Sequence, residues 1–487
     1  MVRYPYNMAR MPCQLSENPI AVTSFRVSHL RTIALLSIFA AAALCACSGS
    51  DSSERSAPKK VDSRLLLFGV DGATWDLMDP LLKEGLLPNF KKLIDHGVRS
   101  PLKTYKPTLS PLIWTTIATG FAPKKHGIEG FTAKVRGTDE KVLVTSNMRK
   151  VKAVWNILSE HEKTVGVIGW WASYPAQKVN GFVISDQAGT LRKENYRIAL
   201  DLKPAHDDDK IDPKTTWPPS LATELKDHLR LSSKIDAAII DRFFELDAKQ
   251  REKLAQDGIV DKEDILSIFK FAYLIDRSFI DSGLVALEKH KPDFGALYLN
   301  GLDAAEHHFW KYFEPDKFEN VREEDIARYE KVIRRYYVYM DEILGRLMKL
   351  YPLESSTIMV VSDHGHEANA NYDPSSSNHY NRICSGGHEE APDGVFILGG
   401  VLAGRGKIPT PNVFDVTPTI LTLMGTPVGR DMPGKTVMES IDRKFLGSHP
   451  PTEISTHGPN PFFSQAPVPS AMNDALKEKL RGLGYIE

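Results

Sequence analysis

The chain has 487 residues, and its 61 basic and 62 acidic side chains leave a formal net charge of -1. A balance so near neutrality excludes a nucleic acid held by bulk charge. A hydrophobic content of 42% with 25% charged residues is that of a globular chain, neither disordered nor fibrous.

In chain order, the first element stands apart from the rest. Residues 32–44 read TIALLSIFAAAAL, behind Arg26 and Arg31. That run falls short of the roughly 20 apolar residues of a membrane-spanning helix and matches the apolar part of a secretory signal. The tetrapeptide Leu44-Cys45-Ala46-Cys47 resembles the lipobox of bacterial lipoproteins, in which the last cysteine is lipidated and becomes the mature N-terminus. Residues 1–46 are expected to be a signal peptide, and 47–63 a lipidated Cys47 with a flexible polar tether. The implied localisation is export, with lipid anchoring in the bacterial cell envelope, facing the periplasm or in the outer membrane. An ordinary cleaved signal or an uncleaved anchor is the alternative. Removal of 1–46 takes away Cys13 and Cys45. With Cys47 lipidated, the mature domain has no disulfide and must rely on its core and on metals.

From residue 64 onward, short apolar runs recur and end in chemistry. RLLLFGV (64–70) delivers Asp71, TVGVIGW (164–170) leads to a loop, and FGALYLN (294–300) leads to Asp303. STIMVVS (356–362) leads to Asp363 and His364, and GVFILGG (394–400) follows His388. Helical patterns such as PNFKKLIDHG and AVWNILSEHEKT lie between them. This alternation predicts an α/β fold, a mainly parallel sheet flanked by helices on both faces, spanning 64–487. A charged, helix-rich stretch at about 199–275 reads as an insertion, a candidate cap over the sheet rim. Its Asp207-Asp208-Asp209 run reads as a solvated loop rather than a cation site.

In parallel sheets, polar residues at the strand ends gather on one rim, where ligands bind. Asp71, Asp303, His307, Asp363, His364 and His388 would meet there. Three carboxylates and three imidazoles on one rim call for cations between them. Mixed His/Asp ligation suits zinc and allows manganese. Asp303 and His307, four apart, share one face of a helix. Two ions with three protein ligands each would use all six residues and form a clamp for phosphoryl chemistry. Such a centre also activates an alcohol. The stretch KPTLSPLIWTTIATG (106–120) supplies five: Thr108, Ser110, Thr115, Thr116 and Thr119.

The motifs GVDGATWD, TLSPLIWTTIATGFAPKKHGI, LDAAEHHFW, VSDHGH and GGHEEAPDGVFI stand in the order seen in the alkaline phosphatase superfamily. They most resemble its type I phosphodiesterase/nucleotide pyrophosphatase branch, as does FDVTPTILTLMGTPVGRDMPGK near the C-terminus. The resemblance spans about 64–440. It implies one metal bound by Asp71, Asp363, His364 and the nucleophile, and a second bound by Asp303, His307 and His388. Counting nine residues back from the Thr119-Gly120 pair, as the family pattern does, places the nucleophile at Ser110. Thr108 is the runner-up, and Thr115, Thr116 and Thr119 are expected to satisfy helix carbonyls.

The chain departs from the family at two places. Nucleotide pyrophosphatases carry Thr as nucleophile and an Asn three residues later, where this chain has Ser110 and Ile113. That puts nucleotide substrates in doubt more than phosphoryl transfer. The Cys/Ser-x-Pro-x-Arg frame of sulfatases is missing from SPLIW.

The reading is a metal-dependent phosphoric ester hydrolase acting on small-molecule phosphodiester or pyrophosphate-type bonds through a phosphoseryl intermediate. The alternatives are a phosphomonoesterase or phosphotransferase of the same superfamily, and a non-catalytic envelope lipoprotein. Glu306, where relatives often have Gly, is expected to face solvent, and His308 to pack. His366, beside a ligand without a clear family role, is a candidate substrate contact. Trp114 is expected in the core, and the Trp170-Trp171 pair is a candidate apolar wall for the leaving group.

Overall fold

The computed structural model describes residues 61–189, 211–229, 234–255 and 264–464 apart from 136, 138 and 140, with a few of the last residues. The expected signal peptide, Cys47, most of the tether and Asp207-Asp208-Asp209 lie outside them.

Eight strands form one sheet: β1 (Arg64–Val70), β2 (Gly97–Leu102), β3 (Val165–Ile168), β4 (Gly181–Ile184), β5 (Thr216–Trp217), β6 (Phe294–Leu299), β7 (Ser356–Val361) and β8 (Gly394–Gly400). Their spatial order is β2-β8-β7-β1-β6-β3-β4-β5. The five strands from β7 to β4 run parallel. Strand β8 is antiparallel to both β7 and β2, and β5 closes the far edge antiparallel to β4.

Successive side chains of a strand point to opposite faces, so a run that is apolar at every position needs cover on both. β1 shows this directly. Leu66 and Phe68 join one buried cluster, while Leu65 and Leu67 join the other. Helices α3 (Ile265–His290) and α5 (Val332–Leu350) cover the first face with residues such as Phe269, Ile280, Tyr336 and Leu344. Helices α1 (Ser110–Thr119), α2 (Val154–Glu160) and α6 (Val416–Leu423) cover the second with Ile113, Ile117, Trp155 and Ile420. The expected architecture, a mainly parallel sheet with helices on both faces, is the observed one.

Strand direction decides what reaches the rim. The carboxyl ends of β1, β6 and β7 deliver Asp71, the segment before Asp303, and Asp363 with His364. Because β8 is antiparallel to β7, its start lies on the same rim, which brings His388 there from upstream. β2 pairs Leu102 with Gly394, so it too ends on that rim and leads toward Ser110.

Within the stretch expected as an insertion, Thr216–Trp217 adds the edge strand β5, and short helices follow. Its expected end at Ile275 falls inside α3, a helix of 26 residues with Asp264 capping its first turn.

Candidate metal centre and nucleophile

Helix α4 (Gly301–Phe313) carries Asp303 and His307. Its amino end is fixed by Asp276 of α3, whose carboxylate accepts from the backbone N–H groups of Asn300 and Gly301, each at 3.1 Å. The Tyr336 hydroxyl donates to the same carboxylate at 2.9 Å. A Cβ at Gly301 would fall 1.8 Å from that hydroxyl, so a side chain there would break the cap. A carboxylate at a helix amino end also complements the helix dipole. Asp276 therefore positions the ligand-bearing helix, although nothing in its own sequence neighbourhood marks it.

The six rim residues come together as two groups, each with ligand atoms within 4.8 Å of one another: Asp303, His307 and His388, and Asp71, Asp363 and His364. Asp71, Asp303, His307, Asp363 and His364 are fully buried, and His388 is buried as well. His307 Nδ1 lies 2.9 Å from the Gly386 carbonyl and His364 Nδ1 lies 3.1 Å from the Gly365 carbonyl. A carbonyl on one ring nitrogen fixes the tautomer and leaves the other nitrogen to serve as a ligand.

Asp71 is held by one oxygen. Trp114 Nε1 donates to Oδ2 at 3.1 Å, and the Tyr298 hydroxyl donates to it too. The other oxygen, Oδ1, is buried with no hydrogen-bond partner, as is His364 Nε2. Burial, then the charge of Asp71, pushes the Asp303 and Asp363 carboxyls well above the usual range. Burial, helped by the neighbouring imidazoles at His307 and His388, pushes His307 down to about 4 and lowers His364 and His388. Neutral imidazoles and carboxylates that resist ionising without a counter-charge are a donor set that fits divalent cations.

Ser110 is the first residue of α1 and is 2% exposed. Pro111 at the next position has no N–H to leave unsatisfied. The positive end of the helix dipole thus sits at the serine, where an anion is stabilised. The chain around Ser110 is tied to both groups. Two residues before it, Thr108 Oγ1 donates to the His388 carbonyl at 2.9 Å and lies 3.0 Å from His388 Nδ1. Four residues after it, Trp114 holds Asp71.

The remaining hydroxyls of the stretch are engaged elsewhere. Thr115 donates to the Pro111 carbonyl, Thr116 to Leu112 and Thr119 to Thr115, as expected of helix-interior threonines. Thr108 is a support for His388. Ile113, in the position where relatives carry Asn, is fully buried in the apolar cluster.

Other expectations need correcting. Glu306 does not face solvent. It is fully buried beneath Gly72, with Tyr337 donating to its Oε1 at 3.0 Å. Trp170 is wholly buried, packed edge-on against Trp114 at 5.2 Å, and forms no exposed wall. Trp171 is partly exposed and donates from Nε1 to the Tyr298 hydroxyl at 2.6 Å. Trp114 packs in the core and holds Asp71 at once, and its Nε1–H gave no separate signal in the sequence. His308 packs as expected, buried with Nδ1 at 3.3 Å from the Ile383 carbonyl.

Behind α1, His126 is buried, with Nε2 at 3.1 Å from Thr116 Oγ1, and Nδ1 accepts from the Ile128 N–H. Burial, with Arg149 and Lys150 nearby, pushes its pKa down to about 3. An unfolded histidine titrates near 6.5, so below that pH the unfolded chain takes up a proton that the folded chain refuses. This stabilisation is full above about pH 6.5 and is lost as pH falls toward 3, at about 1.4 kcal/mol per unit. Urea melts at pH 7 and 5 are expected to differ by about 2 kcal/mol from this source, and His126→Gln should remove that share.

The family profile "Type I phosphodiesterase / nucleotide pyrophosphatase" matches residues 65–386. A comparison with curated proteins gives no match. Among solved structures, human ectonucleotide pyrophosphatase/phosphodiesterase 5 is similar at 12% identity and a TM-score of 0.43, covering 78% of this chain and 100% of its own. A phosphonoacetate hydrolase from Sinorhizobium meliloti 1021 is similar at 13% identity and a TM-score of 0.41, covering 74% and 95%. A variant of the alkaline phosphatase PafA is similar at 13% identity and a TM-score of 0.47, covering 79% and 100%. The profile spans the strands that carry five of the six rim ligands and ends two residues before His388. The chain belongs to the type I phosphodiesterase/nucleotide pyrophosphatase family of the alkaline phosphatase superfamily, hydrolases of phosphoric esters.

Proposed function

We propose that the protein cleaves small-molecule phosphodiesters with Ser110 as nucleophile. The observation that carries this is the double tether of the serine's segment, Thr108 on His388 and Trp114 on Asp71, which ties the chain on either side of Ser110 to a residue of each ligand group. Asp71, Asp363 and His364 would hold one divalent cation, and Asp303, His307 and His388 the other. Zinc suits this mixture of nitrogen and oxygen donors, with manganese as the alternative. Two such cations supply the charge that lowers the serine pKa and neutralises the phosphoryl oxygens.

The chain's own residues do the rest. Ser110 Oγ attacks phosphorus and forms an O–P bond as the bond to the leaving oxygen breaks. The leaving group departs as an alcohol, carrying the proton that Ser110 loses, and the remaining half of the diester, still esterified to its other alcohol, stays on Ser110. Water then attacks that serine-bound phosphorus, releasing a monoester and restoring the hydroxyl. The amino end of α1 favours the negative charge on the phosphoryl group throughout.

Trp171, the partly exposed member of the tryptophan pair, is proposed as the apolar surface for the leaving group. It reaches Asp71 through the Tyr298 hydroxyl, and its ring meets Phe131 edge-on at 5.5 Å. An aromatic or other apolar leaving group fits that surface.

The test is the full chain in detergent with zinc or manganese, given a chromogenic aryl diester and the matching monoester. A higher kcat/KM on the diester supports the reading; preference for the monoester, or turnover of neither, overturns it. Thr108→Val, which removes the support of His388, is expected to weaken the affinity for one cation about 10–100-fold in a chelator competition. We further propose export and anchoring through lipid on Cys47, on the lipobox resemblance. Cys47→Ser should move the protein from the membrane to the soluble fraction.

A further inference from the structure

His366 and Glu306 have no part in the two groups described, yet both are buried against them. His366 Nε2 stands 3.5 Å from Asp303 Oδ1. His307 Nε2 stands 3.5 Å from the same oxygen. In the other group, His364 Nε2 is 3.4 Å from Asp71 Oδ1 and 3.4 Å from Asp363 Oδ2. These separations are long for hydrogen bonds. Two donors at zinc-ligand distance around one tetrahedral ion stand roughly 3.3–3.6 Å apart. His366 therefore meets Asp303 at the same spacing as the expected ligands meet theirs. Asp303, His364 and His366 also offer ligand atoms within 4.8 Å of one another.

The other face of the imidazole meets a carboxylate. His366 Nδ1 lies 3.2 Å from Glu306 Oε2, close enough to pair though not aligned as a hydrogen bond. Glu306 Oε1 accepts from the Tyr337 hydroxyl, which in turn accepts from the Thr74 N–H at 3.1 Å. Trp310 lies nearly parallel to the His366 ring at 6.1 Å. Room for the pair depends on Gly72, which has φ +80, and whose Cβ would fall 2.5 Å from Glu306 Oε2 and 3.1 Å from His366 Nδ1. A carboxylate on one nitrogen of a histidine presents the other nitrogen to a metal and raises its basicity. A buried carboxylate is itself costly unless a cation or strong donors compensate it.

We propose that His366 is a further ligand of the metal centre, reaching through Nε2 the ion that Asp303 carries, with Glu306 as its positioning residue. The proposal rests on the two-cation reading above and adds a third imidazole to that ion. The added nitrogen biases the ion toward zinc over manganese, because imidazole suits zinc while manganese prefers oxygen donors.

The experiment strips the full chain of metal and titrates it with zinc against a chromophoric chelator. Wild type is expected to take up two ions per chain. His366→Ala should weaken one of them about 100-fold or more and leave the other, and Glu306→Gln should weaken the same one about 10–100-fold. Circular dichroism reports folding; Glu306→Gln preserves volume and carries the test if His366→Ala does not fold. Cobalt in place of zinc should give a visible band that changes in the variants. Zinc affinities within about threefold of wild type in the folded variants overturn the proposal, even if turnover falls, since that would mark a substrate contact instead. A wild-type chain that takes up no zinc overturns the two-cation reading itself, which is a separate and recognisable failure.

Discussion

Ser110→Ala is expected to lower turnover of an aryl phosphodiester by on the order of 10³-fold or more, with both metal equivalents retained. The hydroxyl is the only group lost, and its replacement by a hydrogen at a fully packed helix start leaves the fold intact. Asp71 remains in place because Trp114 and Tyr298, not Ser110, hold it, and His364 Nδ1 rests on the Gly365 carbonyl. The metal assay therefore separates a lost nucleophile from a collapsed centre. Quenching a wild-type reaction in acid should trap phosphate on a peptide containing Ser110, and the variant should trap none. Turnover within about tenfold of wild type would sink the assignment and send the search to Thr108. That residue starts at a disadvantage, since its hydroxyl proton is given to the His388 carbonyl.

Metal removal is the second large effect. Stripping with a chelator should abolish turnover and also lower the melting temperature, because the centre lies inside the fold. Ions that bind the folded chain alone, each at about 1,000 times its dissociation constant, stabilise it by about 4 kcal/mol apiece. For a chain of this size roughly 1 °C accompanies each kcal/mol, so two ions amount to a shift of about 8 °C. The physical source is the burial of Asp303 and Asp363 beside Asp71, which drives both carboxyls to bind protons when no cation is near. The loss on stripping should accordingly be smaller at pH 5 than at pH 8, since protonation partly replaces the cations. Differential scanning calorimetry at both pH values checks this. An unchanged melting temperature would mean that the cations do not bind within the buried groups.

Much of this was legible because it is local. The runs RLLLFGV and STIMVVS declare buried strands by having no polar position, and Asp71 and Asp363 follow them directly. The helical spacing of Asp303 and His307 put them on one face before any fold was known. Glu306 went the other way. Its place in the α4 sequence suggested solvent, and only the packing of α5 and the segment after β7 around α4 made it a buried partner of Tyr337 and His366. Asp276 and Tyr298 were silent for the same reason: each acts on a residue from a different strand or helix.

What the sequence by itself determined was the alternation of strands and helices and the kinds of side chain at the strand ends. Periodicity and residue chemistry are properties of neighbouring residues. What only the tertiary structure decided was which imidazole meets which carboxylate, and that His366 meets one at all. Those pairings depend on strand order and on β8 running against β7, which join residues as far apart as Thr108 and His388. No local pattern carries that information, because the contacts form only when the whole sheet has closed.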